Sequence, residues 1–144
     1  MIAALGGEGG GVLTNWILNA AERAGLPAQG TSIPGVAQRT GATTYYVEIW
    51  PQTLAELDGK RPVLSLAPAP GEVDIVAATE LLEAGRSLLA GFVTPDRTAL
   101  IASTHRVYTT REKMAMGDGR FDPDVLHRAA RKRAETLLLM DMDA

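Results

Sequence analysis

Met1-Ile2-Ala3-Ala4-Leu5-Gly6-Gly7-Glu8-Gly9-Gly10-Gly11-Val12-Leu13 opens the chain, and its reading decides the fold. The first five residues form a short apolar run and predict a buried strand. Five of the next six positions are glycine. Such a run is unsuited to an element interior, because glycine loses the most backbone entropy on ordering, so it predicts a tight turn. Beyond it, Val12, Leu13, Trp16, Ile17, Ala20, Ala21 and Ala24 recur at helical spacing and predict one apolar face. Asn15, Asn19, Glu22 and Arg23 lie off that face. Gly25 followed by Pro27 is a stop signal. The opening reads as strand, glycine turn, amphipathic helix.

Working outward, residues 27–32 predict a short second strand, and residues 33–41 a loop containing Pro34, Gly35, Arg39 and Gly41. Residues 43–50 are rich in β-branched and aromatic side chains and predict a strand. A proline-containing connection follows, with a candidate strand at 63–66, and residues 73–78 are a further apolar strand. Residues 79–90 read as a helix that contains Gly85. Residues 98–103 are a buried strand, and 106–119 give no clear pattern. Asp122-Pro123 starts a helix, with aspartate at the cap and proline at the first position. That helix carries the basic stripe Arg128, Arg131 and Lys132, and residues 135–140 read as a last strand. Strands alternating with helices predict an α/β fold of three layers, a mostly parallel open sheet with helices on both faces. One domain of residues 1–144 is expected. A sheet of this kind ordinarily closes with a helix, so truncation at the C-terminus is expected.

Composition narrows the function. Apolar residues make up 46% and charged residues 22%, with a net charge of −3. A general nucleic-acid binder would carry a basic face, and at 5% aromatic residues no stacking platform for bases is evident. Cysteine is absent, which excludes disulfides, thiolate-held zinc, cysteine-ligated iron–sulfur clusters and a cysteine nucleophile within this chain. No apolar run reaches the roughly 18–20 residues that span a bilayer. The first residues carry no basic n-region, so a cytoplasmic location is expected, with no membrane partner.

A glycine turn between strand and helix gathers backbone N–H groups and a helix N-terminus at one point, a geometry suited to an anion. The dinucleotide fingerprint G-x-G-x-x-G is met by Gly7 and Gly9 but has Val12 at its last position. The second strand ends Gly30-Thr31-Ser32, without the carboxylate that would hold a ribose. The nucleotide P-loop needs Lys-Ser/Thr after its last glycine, where this chain has Val12 and Leu13. Two readings stand side by side: the glycines allow close packing of helix on strand, or they admit an anion or cofactor. The charge of Glu8 works against a bare phosphate.

Other constellations are weaker. Gly117-Asp118-Gly119 looks like the start of a thiamine diphosphate motif, but no asparagine pair follows it, and it reads as a turn. His105 and His127 are the only histidines and show no metal-ligand spacing. There is no G-x-S-x-G elbow. Glu80 and Glu83 share a helix surface, and Glu80, directly after a strand, is the better site candidate. Arg39, in a glycine-containing loop, suits an anion clamp or a subunit contact as well as a solvated role.

Leu5-Gly6-Gly7-Glu8-Gly9-Gly10-Gly11-Val12-Leu13-Thr14, together with Gln38-Arg39-Thr40-Gly41-Ala42-Thr43 before a strand, resembles the gamma-type domain of 2-oxoacid:ferredoxin oxidoreductases. Residues 71–103, with Val73-Asp74-Ile75-Val76, look like the beta subunit of the indolepyruvate type. Many members have glutamine at the position of Glu8, and Arg-Gly-Gly where this chain has Arg39-Thr40-Gly41. The resemblance implies an enzyme subunit without catalytic residues or metal ligands of its own. Its complex would oxidatively decarboxylate an aryl 2-oxoacid such as indolepyruvate to an acyl-CoA and pass electrons to ferredoxin. Thiamine diphosphate and iron–sulfur clusters would sit in the partner subunit, with coenzyme A bound in the complex and no cofactor held by this chain alone. Gly6, Gly7, Glu8, Gly9, Gly10, Gly11, Arg39 and Gly41 would form a ligand-facing or subunit-facing surface, with Glu80 a further candidate. The rival reading is a free-standing Rossmann-like nucleotide-binding module.

Overall fold

Ile2, Ala3 and Ala4 are at most 3% exposed because helices pack on both sides of them. In the computed structural model, which describes residues 1–34 and 42–143, they form β1 (Ile2–Ala4). The chain continues through α1 (Gly10–Arg23), β2 (Ala28–Pro34), β3 (Thr43–Ile49), β4 (Ile75–Ala78) and α2 (Leu81–Leu89). It ends with β5 (Ala99–Ser103), α3 (Thr110–Met114), α4 (Pro123–Arg133) and β6 (Thr136–Met140). The strands form one six-stranded sheet in the order β2-β3-β1-β4-β5-β6. β1, β4, β5 and β6 are mutually parallel, while β3 runs antiparallel to both β1 and β2. The expected mostly parallel, three-layer α/β architecture is therefore present.

Successive side chains of a strand point to opposite faces. Ala4 lies beneath Gly10 of α1, whereas Ala3 joins Val76, Ala78, Ala84, Leu88, Leu100, Ala102 and Ala130 in the core under α2 and α4. The chain leaves β1 toward the β2–β3 hairpin over one face and returns through β4, β5 and β6 with its helices over the other. That reversal puts the topological switch point between β1 and β4. On the α1 face, the part of the sheet over β4–β6 is open, with Ile75 54%, Leu138 47% and Met140 41% exposed.

Four expectations need correction. The helix begins earlier than the glycine run suggested: Gly9 is its cap, at φ 77°, and Gly10 and Gly11 form its first turn. The buried stripe of α1 is Gly10, Thr14 and Ala21, and the apolar Val12 (54% exposed), Leu13 (38%) and Trp16 (68%) face outward. Small residues won that position because α1 sits close on the sheet, leaving no room for Trp16 or Leu13. Residues 63–66 are not a strand. Their backbone is held by side chains instead, Gln29 donating to the Ser65 carbonyl at 3.1 Å and Thr31 to that of Leu66 at 2.6 Å, while Glu48 accepts from the Ser65 N–H. Helix α2 starts two residues later than expected because Glu80 caps it.

Gly85 lies mid-helix for a packing reason. A Cβ there would meet the Leu126 side chain of α4 at 2.7 Å, so the absent side chain leaves room for that leucine. A Cβ on Gly10 would meet the Tyr45 ring at 2.7 Å and the Ala4 Cβ at 2.8 Å. The two positions separate under test. Gly10→Ala is expected to cost about 1–3 kcal/mol, since neither a ring nor a strand Cβ can swing aside. Gly85→Ala should stay within about 1 kcal/mol of neutral, because a leucine methyl can rotate and alanine favours the helix. Urea denaturation of both variants measures this, and equal losses would count against the rigid contact at Gly10.

Candidate functional site

The glycine turn opens on a pocket of about 540 Å³. Gly7 and Gly9 to Gly11 form one wall, and Thr14, Asn15 and Leu18 continue it along α1. Gly30, Thr31 and Ser32 of β2 stand opposite, with Tyr45 of β3 between. Small residues keep these walls close: Leu18 lies 2.8 Å from where a Cβ of Gly30 would be. No side chain caps α1, and its first turn contains no acidic residue. The first helical bond runs from the Leu13 N–H to the Gly9 carbonyl, so the N–H groups of Gly10, Gly11 and Val12 lack a helical partner. The Thr14 hydroxyl is used internally, donating to the Gly10 carbonyl at 2.8 Å. The pocket thus offers backbone donors, hydroxyls and apolar surface, and among the described residues that line it there is no carboxylate, imidazole or amine.

The carboxylate of Glu8 is turned away from this pocket. It accepts from the Leu5 N–H at 2.9 Å and from the Thr79 hydroxyl. Leu5 follows β1 and Thr79 follows β4, so this clamp crosses the switch point where an open α/β sheet ordinarily receives its ligand. The pocket opens on the other side of the turn, toward β2 and β3.

Glu80 is 1% exposed and spends both oxygens on backbone donors. One oxygen accepts from Leu82 at 2.8 Å and Glu83 at 3.2 Å, which caps α2. The other accepts from Val107 at 2.9 Å, and the Leu81 N–H donates to the His105 carbonyl at 2.9 Å. Glu80 therefore ties the start of α2 to the segment after β5. Ser103 does similar work nearby, its buried hydroxyl accepting from the His105 and Met142 N–H groups at 3.1 Å each.

Of the nine residues singled out in the sequence, the pocket gathers Gly7, Gly9, Gly10 and Gly11. Gly6 belongs to the same turn without lining the pocket, Glu8 forms the clamp, and Glu80 is buried at the head of α2. Arg39 and Gly41 lie outside the described residues. Sequence reasoning did not find Thr14, Gly30, Ser32 or Tyr45. The small residues at 10, 14 and 21 along α1 and the lone Gly30 within a strand were the available signals, since a strand glycine marks close approach of another element.

The fold and pocket together define an open α/β domain with a glycine-walled pocket beside the switch point, and no carboxylate, imidazole or amine among the described residues that line it. The family model described as pyruvate ferredoxin/flavodoxin oxidoreductase matches residues 1–144, and the chain belongs to that family. No curated protein and no solved structure matches the chain significantly. Complexes of this family are multi-subunit, ferredoxin-dependent oxidoreductases that use thiamine diphosphate, iron–sulfur clusters and coenzyme A. The residues of this chain do not fit two of those groups: there is no cysteine to ligate a cluster, and no asparagine follows Gly117-Asp118-Gly119 to complete a thiamine site. Among the described residues no helix is long and apolar enough to cross a membrane.

Two titrations of stability test the carboxylates at this end of the sheet. Glu80→Gln leaves at least one backbone N–H facing an amide N–H and is expected to cost about 1–3 kcal/mol in chemical denaturation. Glu83, 5% exposed, behaves differently. Burial raises its pKa above the ordinary 4.5, outweighing the attraction of Arg86, while Glu80 and Glu8 add repulsion. The folded state then holds a proton that the unfolded state has lost, so stability falls as pH rises from about 4.5 through the raised folded value. In Glu83→Gln this decline should vanish. Urea midpoints measured from pH 4.5 upward that fall in parallel for both proteins would place the burden elsewhere.

Proposed function

We propose that this chain is the non-cofactor-bearing subunit of an indolepyruvate-type 2-oxoacid:ferredoxin oxidoreductase, working in the cytoplasm. The complex decarboxylates an aryl 2-oxoacid, transfers the acyl group to coenzyme A and delivers the electrons to ferredoxin. The observation that carries the subunit role is the pocket itself. It has a glycine backbone wall, an uncapped helix start and hydroxyls, and among the described residues that line it no carboxylate, imidazole or amine that would activate a hydroxyl or a substrate. Such a surface positions and shields. The thiamine and cluster chemistry belongs to a partner subunit, which is consistent with a chain lacking cysteine. The indolepyruvate type rests on the resemblance of residues 71–103 to that beta subunit.

Gly7 and Gly9 to Gly11 bring main chain, rather than side chains, to the face of the pocket, and the Glu8 clamp fixes where that main chain lies. We read Arg39 and Gly41, between β2 and β3, as part of the same ligand-facing or subunit-facing surface. A free-standing dinucleotide module has less support, because Glu8 bridges the switch-point crevice such a ligand would enter.

Reconstitution tests the reading. The isolated chain should reduce no ferredoxin with any 2-oxoacid, and the complex lacking it should lose activity. With coenzyme A present, the complete complex should prefer indolepyruvate to pyruvate by at least about tenfold in kcat/KM. A preference for pyruvate would reassign the substrate class. Full activity without this chain would remove the subunit role, and tight binding of NAD, NADP, FAD or ATP to the isolated chain would restore the rival module.

A further inference from the structure

β2 (Ala28–Pro34) is an edge strand, bonded to β3 on one side only. It pairs along its whole length, from Ala28 opposite Ile49 to Pro34 opposite Thr43, with no bulge. Just before it, the Trp50 N–H donates to the Pro27 carbonyl at 2.8 Å. Opposed residues of an antiparallel pair alternate between bonded and unbonded. That contact therefore sets the phase. Gln29, Thr31 and Ile33 bond to β3, and the main-chain groups of Ala28, Gly30 and Ser32 point away from it, to the free edge. Among the described residues nothing outside the sheet bonds to those N–H groups. Gly30 shows the same openness: its Cβ side is crowded by Leu18 at 2.8 Å, yet the residue is exposed.

An edge of this kind ordinarily carries a protecting charge, a bulge or an internal proline. Ala28-Gln29-Gly30-Thr31-Ser32-Ile33-Pro34 contains no charged residue, and its proline is the last position. Gln29 and Thr31 reach the backbone of residues 65–66 through their side chains and use no main-chain group of the edge.

The outward groups are their own complement. When two copies of β2 run antiparallel about a two-fold axis at Gly30, Ala28 meets Ser32 of the second copy, Gly30 meets Gly30 and Ser32 meets Ala28. All are outward-facing positions, so each opposed pair exchanges both its N–H···O bonds. Ile33, 40% exposed, comes opposite Pro27 of the second copy. A foreign strand would have to match this register by its own sequence, whereas a second copy matches it by symmetry. The other edge of the sheet behaves differently. The same operation on β6, about Leu138, sets Glu135 against Asp141, two like charges.

We propose that the free edge of β2 pairs antiparallel with β2 of a second copy across a two-fold axis at Gly30, joining two six-stranded sheets into one. Using the same edge in both copies closes the assembly and leaves no growing end there. Gly30, Thr31 and Ser32 also line the glycine-walled pocket, so the second copy runs along the rim of that pocket in each subunit. The pairing holds whichever 2-oxoacid the complex takes.

Analytical ultracentrifugation of the full chain tests it. Wild type should sediment as a concentration-dependent dimer. Ser32→Pro removes an outward N–H and no bond to β3, so it should keep the far-ultraviolet circular dichroism of wild type. It should weaken the dimer at least about tenfold, the loss occurring in both copies. Ser32→Ala keeps the N–H and should dimerise within about threefold of wild type. Because the chain has no cysteine, Ala28→Cys/Ser32→Cys places the only thiols at paired positions, where opposed Cα atoms about 5.5 Å apart suit a disulfide. Mild oxidation should then give a covalent dimer, whether or not the proline variant folds. A wild-type monomer at every concentration overturns the proposal. A dimer that survives Ser32→Pro and forms no such disulfide also overturns it, placing the contact elsewhere. In the complex purified from the native host, a photo-crosslinking residue at position 32 should link to a second copy. A link only to a different polypeptide gives the edge to that partner and overturns self-pairing.

Discussion

Gly10 occupies a point where no side chain fits. The Tyr45 ring and the Ala4 Cβ both lie within 2.8 Å of where its Cβ would be. This single close approach sets the height of α1 above the sheet and hence the orientation of its first turn. Gly9 makes the approach possible from the other side, because a cap at φ 77° is a conformation glycine adopts without strain. With α1 so low, only Gly10, Thr14 and Ala21 are buried beneath it, and Val12, Leu13 and Trp16 turn outward. The pocket beside the turn follows from the same contact.

A second constraint acts on the strand ends. Four side chains at the two ends of the strands tie neighbouring segments together, three through backbone bonds and Glu8 through the Leu5 N–H and the Thr79 hydroxyl. Glu8 joins the ends of β1 and β4, Glu80 joins α2 to the segment after β5, Ser103 joins the ends of β5 and β6, and Thr98 donates to the Val73 carbonyl at 2.8 Å at the opposite edge. Glu80, Ser103 and Thr98 are at most 1% exposed, where a missing partner would be expensive.

Arg106 pairs with Glu112, which also accepts from the Thr109 and Phe121 N–H groups, and this pair does for the segment after β5 what Gly10 does for α1. It fixes an irregular stretch in one arrangement, and the side chains left over point outward.

The family motif, the alternation of strands and helices and the parallel core were legible because each depends on local pattern: apolar runs, glycine clusters and a proline at a helix start. The buried face of α1 was not, since Trp16 and Leu13 fit helical spacing as well as Thr14 and Ala21 do. Periodicity finds a stripe but cannot measure how near the sheet lies. Residues 63–66 misled for a related reason, because β-like composition does not reveal that side chains of β2 and β3 will take the backbone bonds. The sequence by itself determined the class of fold, the family and the absence of any cysteine chemistry in this chain. Tertiary structure alone decided that Glu8 bridges the ends of β1 and β4, that Glu80 is a cap rather than part of the pocket, and that Met114 and Met116 stand outside. Each of those outcomes depends on which distant residue arrives within about 3 Å, and that distance is not written in local pattern.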